Sequence, residues 1–477
     1  MVHGPRSVVF GGSCFQRLIS LCGACFAPFE DILVKKFRKF LVAAAPAAIL
    51  ALAPAVVHAE SLYAAMANAY ANNPDLNAAR AGLRATDEGV AIAKSGYRPI
   101  VSATGTVTYT NTEGNEVSTA AAGVSISQTL FDGFQTLNNV RAAQATVFAG
   151  REDLRGTEID ILLATAEAYA NVIRDNQIVG YRKENLAFLK EQLSASQARF
   201  DVGEGTRTDV SQAEAELAAA RALLTAADAQ AKTSAAVYAQ IVGNAPRNMQ
   251  AIDVPSRVLP NSLDAAVATG LKQHPTILAA EFGVDAAGYN VKSTEGAMLP
   301  GVSVTGSVNE QDTGITISQV QARVTVPLYQ GGLVSAQVRQ AKEQLGQQRI
   351  LVDSARRAVE QAVISSWTAM EASKANINAT RAQIRAGGLA LNGVVEERRV
   401  GQRTTLDVLN AQQTVLTAKE SLAQNERNYV VAAYSVLAST GRLTVQRLGL
   451  QVANYRPEKH YEATKDRWYG LRTIDGR

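Results

Sequence analysis

The chain has 477 residues, of which 47% are apolar and only 6% aromatic, so it is too long for one small core and too poor in rings for two ordinary globular domains. Residues 1–59 carry six Lys/Arg against two acids, which equals the whole chain's net charge of +4; the remainder is neutral and has no basic footprint for nucleic acid. All three cysteines (Cys14, Cys22, Cys25) lie in that stretch too, leaving residue 60 onward without a disulfide, thiolate nucleophile or Cys-ligated metal.

Residues 1–59 read as a lead-in and an export signal. Lys35, Lys36, Arg38 and Lys39 precede an apolar run from Phe40 to Val57, and Val57-His58-Ala59 offers a cleavage site before Glu60. The length before Lys35 points to translation starting near Val34. Beyond residue 60 no apolar run approaches the roughly 20 residues of a membrane-spanning helix. An exported chain of this kind is either soluble or enters a membrane as strands.

From residue 60 the sequence says nearly the same thing twice. Asn73-Pro74 recurs as His274-Pro275 and Pro99 as Pro300, at an offset of 201. Leu130-Phe131-Asp132-Gly133 recurs as Leu328-Tyr329-Gln330-Gly331, Val202-Gly203 as Val400-Gly401, and Asp209 as Asp407, at an offset of 198. Each copy reads as short helix, strand, strand, very long helix, tight turn, short helix, and such units bury their apolar faces only when laid side by side. The division is 60–243 for the first copy, 244–261 for a proline-bearing belt, 262–441 for the second copy and 442–477 for a tail that joins the belt.

The first short helix is expected from Ser61 to about Gly96. Four strand segments follow the hairpin pattern: Val101, Ala103, Gly105, Val107 and Tyr109 alternate with Ser and Thr, as do Val124, Ile126, Gln128 and Leu130. In the second copy Val302, Val304, Gly306 and Val308 alternate with polar residues, and so do Val320, Ala322, Val324, Val326 and Leu328. Each is about the length of a tilted membrane strand, with an apolar face for lipid and a hydroxyl face for water. A half-buried sheet in a soluble protein has the same period, but four matched segments in an exported chain favour the membrane. Four strands cannot close, and open edges in lipid are costly, so the chain must oligomerise. Two copies give a filled eight-stranded barrel; three give twelve strands and a bore wide enough for water.

The long helices are expected over Gly133 to about Phe200 and Gly331 to about Arg399, about 100 Å each at 1.5 Å per residue. The remaining short ones run over Thr206–Val242, Ser262 to about Gly296, and Thr404–Thr440. Two short helices end to end match one long helix, so they stack in line beside it. Val210, Ala213, Leu217 and Ala220, like Val408, Ala411, Val415 and Ala418, follow heptad steps that close the seams. At the far end, Thr206 with Asp209 and Thr404 with Asp407 have capping-box spacing. The same carboxylates, repeated around an oligomer, would form cation-favouring rings at a narrow entrance; the two roles are compatible.

The signal, the duplicated unit, the Leu-Phe-Asp-Gly-Phe and Leu-Tyr-Gln-Gly-Gly motifs and the Val-Gly turns resemble the TolC family of outer-membrane efflux proteins over residues 60–450. The resemblance implies an α+β membrane protein: a long α-helical barrel continuing into a twelve-stranded β-barrel shared by a homotrimer, four strands per chain. It implies a passive export channel for small toxic compounds or proteins, set in outer-membrane lipid with most of the chain in the periplasm. Its partners would be a periplasmic adaptor and an inner-membrane ABC or RND-type transporter. The docking turns would be Val202, Gly203, Glu204, Val400, Gly401 and Gln402, with Glu204 and Gln402 standing where the family usually has an apolar residue or Thr. The closed entrance would be held by Arg403 bonding Thr208 and Asp209 of a neighbouring subunit, and Arg398 takes the place of a tyrosine latch. Asp407 and Asn410 match the innermost carboxylate pair, with one charge lost.

No enzyme, metal or cofactor is expected, because His274 and His460 lack ligand spacing and no nucleophile motif is present. The competing reading is a periplasmic coiled-coil adaptor or structural protein of the cell envelope; that class would have one helical hairpin and small β domains.

Overall fold

The computed structural model describes residues 60–477 except 253, 475 and 477, so the export signal read in residues 1–59 lies outside the described residues. The first copy comprises α1 (Leu62–Asn72), α2 (Pro74–Lys94), β1 (Ile100–Thr112), β2 (Asn115–Phe131), α3 (Gln135–Asp201) and α4 (Arg207–Val242). The second comprises α5 (Leu263–Gln273), α6 (Pro275–Gly296), β3 (Gly301–Gln311), β4 (Thr316–Thr325), α7 (Leu333–Arg399) and α8 (Thr405–Ser439). The tail adds α9 (Val445–Leu448) and α10 (Pro457–Thr464).

Two expected helices are each divided. Ser61 to Gly96 breaks at Asn73, and Ser262 to Gly296 breaks at His274, both extended at ψ 127° and 129°. The following proline disfavours a helical residue before it and then fits the first turn of the next helix. Asn73 Oδ1 caps that turn by accepting from the amides of Asp75 and Leu76, at 2.9 and 3.2 Å. The breaks are also where the short helices meet in line. Asn73 Nδ2 donates to Ile241 O at the end of α4 (3.0 Å), and Gly441, just past α8, sits so close to Gln273, His274 and Pro275 that a Cβ would meet all three within 3.2 Å.

Helix packing is a single layer. On one half α4, α3, α8 and α7 lie side by side; on the other, α2, α3, α6 and α7 do. The long α3 and α7, 67 residues each, therefore span both halves and are four abreast with the short helices throughout. Of the heptad seams, Val210, Ala213, Leu217 and Ala220 on α4 and Val408, Val415 and Ala418 on α8 are buried, while Ala411 is only half-buried. α8, flanked on both sides, buries far more of its surface than α4, which lies at an edge. Edge helices keep apolar side chains in the open, among them Leu223 and Val237 on α4 and Ile350, Ile364 and Leu389 on α7.

The main core lies at mid-height. Tyr169, Tyr238 and Tyr434 pack there with Met66, Leu162 and Leu437, and Ile252, Val254 and Val258 of the belt close over them with Leu443 and Leu450 of the tail. Tyr169 donates its hydroxyl to the carbonyls of Glu60 and Gln250, at 2.6 and 2.9 Å, tying the chain start to the belt. Burial pushes its pKa up to about 12. Trp367, which corresponds to Tyr169, packs against a second small core of Ala266, Ile277, Val359 and Val363. The tail does more than join the belt: past Arg456 it continues along α2, where His460 Nδ1 meets buried Asp87 at 2.8 Å.

All four strands form one antiparallel sheet in the order β1-β2-β3-β4. The two hairpins share one register: Val101 faces Ile126, and the residues at the repeat offsets, Val302 and Val324, face each other. Apolar residues therefore fall in rows, such as Val101, Ile126, Gly306 and Val320, on one face. The other face links hydroxyls, Ser102 with Ser125 at 2.9 Å and Ser127 with Thr305 at 3.3 Å. Gln128, the polar residue on the apolar face, sits at the strand foot and satisfies its amide on Tyr97 O and Thr129 O. β4 stops at Thr325, so Val326 and Leu328 lie outside the strand expected for them. Pro327 has no N–H to continue the ladder. Where β2 turns into α3, Gly133 (φ +69°) abuts Gly296 so closely that a Cβ would stand 2.1 Å from the Gly296 carbonyl oxygen. Only glycine fits this corner.

Candidate channel entrance

At the end far from the sheet both long helices close in the same motif. Gly203 N donates to Phe200 O (3.0 Å) and Glu204 N to Arg199 O (2.9 Å); Gly401 N donates to Arg398 O (3.1 Å) and Gln402 N to Glu397 O (2.9 Å). This is the paired C-terminal bonding that needs a left-handed residue, and Gly203 and Gly401 supply it at φ +82° and +80°. The motif turns the backbone sharply and leaves Val202 and Val400 projecting, both more than 70% exposed. Glu204 and Gln402 are exposed beside them.

Each turn leads into a capping box. Thr206 Oγ1 accepts from Asp209 N (3.1 Å) and donates to Asp209 Oδ2 (2.5 Å), which also takes Thr206 N at 3.2 Å. Thr404 and Asp407 repeat this at 3.2, 2.8 and 2.9 Å. Hydrogen bonds from Thr206 hold the Asp209 carboxyl below its ordinary range, with Thr405 and the Arg398 charge adding to it. Thr404 bonds do the same for Asp407, with Arg403 nearby. Both carboxylates are thus fixed as anions beside the tips, as the helix starts require.

The arginines behave differently. Within the chain Arg403 bonds Glu397 Oε2 at 2.7 Å and does not reach Thr208 or Asp209. Thr208 and Asn410 are exposed, and Asn410 O accepts the Thr414 hydroxyl at 2.9 Å. Arg398 is buried. It crosses from α7 to α3, donating to Gln192 and, at 3.3 Å, to Ser196 Oγ. Burial lowers its pKa. Sequence reasoning placed Arg398 only by its correspondence to a tyrosine; the partners Gln192, Ser196, Glu397 and Thr405 carry no motif and are visible only in three dimensions.

A sheet with one apolar face and two open edges, continued by helices four abreast over about 100 Å, defines a protomer of an outer-membrane channel. The chain matches the family described as outer membrane efflux protein over residues 65–244 and 267–442, and it belongs to that family. It is 49% identical over 427 residues to the outer membrane efflux protein BepC of Brucella suis biovar 1, covering 88% of this chain and 93% of BepC. To the outer membrane protein TolC of Escherichia coli K12 it is 26% identical over 417 residues, covering 82% and 84%. The fold is similar to the Campylobacter jejuni CmeC outer membrane channel, with a TM-score of 0.73 at 16% identity, covering 85% and 89%. The protein resides in the outer membrane, and the adaptor or scaffold reading is set aside.

Proposed function

We propose that three copies of this chain form a passive export duct. Their sheets close into one twelve-stranded barrel and their helices into a tunnel across the periplasm. The observation that carries this reading is the sheet: its apolar and hydroxyl faces are continuous over four strands, while β1 and β4 each leave an unpaired edge. An edge in lipid costs several kcal/mol per unsatisfied group, which pairing with the next copy removes. The exposed apolar side chains of α4 and α7 offer the matching seam between helices.

The tips are the periplasmic entrance. Val202, Gly203, Glu204 and their counterparts Val400, Gly401, Gln402 dock a periplasmic adaptor, which links the duct to an inner-membrane transporter. In the closed state Arg403 exchanges Glu397 for Thr208 and Asp209 of the neighbouring copy. Arg398 serves as an in-chain latch between α7 and α3. Asp407 and Asn410 line the narrowest ring, where one carboxylate per chain favours cations. The cargo is small toxic compounds, in keeping with the efflux name of BepC, or proteins. Reconstitution of detergent-extracted protein into planar bilayers tests the reading: a trimer with discrete, cation-selective conductance is expected, and a monomer that never conducts would refute it.

A further inference from the structure

The structure holds the segment after α10 in one place. Lys94 Nζ at the end of α2 meets Asp466 at 2.5 Å, Arg98 Nη1 donates to Arg467 O at 3.0 Å, and the Arg98 guanidinium stacks over the Trp468 ring at 4.8 Å. Behind these, His460 is anchored on Asp87, and Tyr461 packs with Val90 and Val147. These contacts bring the tail to the foot of β1, since Arg98 stands two residues before Ile100. There the chain exposes Trp468 (67%), Tyr469 (89%) and Leu471 fully, beside exposed Tyr97 and Ile100.

We infer that Trp468, Tyr469 and Leu471 form an anchor that seats in the phospholipid leaflet facing the periplasm. The patch stands at the foot of β1, where the apolar sheet face begins at Val101, so it lies at the level where that face leaves the bilayer. Trp and Tyr favour this level because their rings sit among acyl chains while their polar atoms stay hydrated. Arg467 and Arg472 flank the rings with Arg98 against Trp468, and since Lys94 is neutralised by Asp466 these three arginines supply the positive charge that matches the phosphate layer. The tail thus supplies part of the aromatic girdle that the strand ends of barrels otherwise carry themselves.

The inference rests on the strands crossing the bilayer and not on export. Trp367→Phe leaves Trp468 as the sole tryptophan of a chain with two. The channel carrying this change is reconstituted into phosphatidylethanolamine–phosphatidylglycerol vesicles with brominated acyl chains, and conductance is recorded on the same preparation. Trp468 emission should be blue-shifted and mostly lost to brominated lipid, with little quenching by aqueous iodide. If Trp367→Phe fails to assemble, the difference between the wild type and Trp468→Phe reads the same signal. Conducting channels in which iodide quenches Trp468 and bromolipid does not would overturn the anchor, placing the tail in water. Quenching by neither would overturn it too, assigning the patch to a neighbouring chain. Absence of conductance with Trp468 still quenched would count against the duct alone.

Discussion

The barrel seam between copies has a register that the chain's own duplication specifies. Within one chain β2 pairs with β3 so that Val124 faces Val308 and Ile126 faces Gly306. Moving β2 to β4 by 198 residues and β3 to β1 by 201 places Ala322 opposite Val107 of the next copy, and Val324 opposite Gly105. Antiparallel partners have Cα atoms about 4.5–5.5 Å apart, inside the range of about 4.4–6.8 Å that a disulfide spans. Pairing Val107 with position 324 instead shifts the partner two residues, about 7 Å along the strand, and opens the Cα separation to roughly 8 Å. Residue 60 onward has no native cysteine, so introduced pairs report cleanly. The double variant Ala322→Cys/Val107→Cys, oxidised in membranes, should run as a covalent trimer on non-reducing gels. Val324→Cys/Val107→Cys and each single variant should run as monomers. Cross-linking by the offset pair and not the first would refute the seam derived from the repeat.

Other expectations concern the tips. Asp407→Ala should raise single-channel conductance and weaken divalent-cation block; Asp407→Gln, which can still reach back to the cap, should do the same, and wild-type behaviour of the Gln variant would assign Asp407 to capping alone. Arg398→Ala removes the bonds to Gln192 and Ser196 and should loosen the tip by about 1–3 kcal/mol; higher open probability in bilayer recordings is expected, and an unchanged channel would end its role as a latch. Lowered carboxyl pKa values at Asp209 and Asp407 set a pH window. Their stabilising effect is complete above the unfolded value of about 3.9 and is lost as pH falls through the lower folded value. Amide protection at the starts of α4 and α8, taken relative to the intrinsic exchange rate at each pH, should therefore hold down to about pH 4 and fall below it; protection lost already near neutrality would contradict the sign.

Much of this architecture was written in short-range pattern. The period-two alternation of Val101 to Tyr109 and its three counterparts fixed both faces of the sheet, because strand side chains alternate whatever the partner. The proline-free runs set the long helices to within two residues, and Val202-Gly203 and Val400-Gly401 marked their ends through a backbone need that glycine meets. The break at Asn73-Pro74 is equally local, but the apolar periodicity continues across it and reads as one helix. Tertiary structure alone decided other matters. Nothing near Trp468 in sequence announces Arg98, some 370 residues away, and the course of the tail along α2 rests on such contacts. Arg398 reads as one more charge on a helix, yet it is buried because α3 brings Gln192 and Ser196 to it. Local propensity and periodicity act within a few residues, so a sequence exposes elements and their faces. Which charged or aromatic side chain meets which depends on how 67-residue helices lie against one another, and that is settled only when they pack.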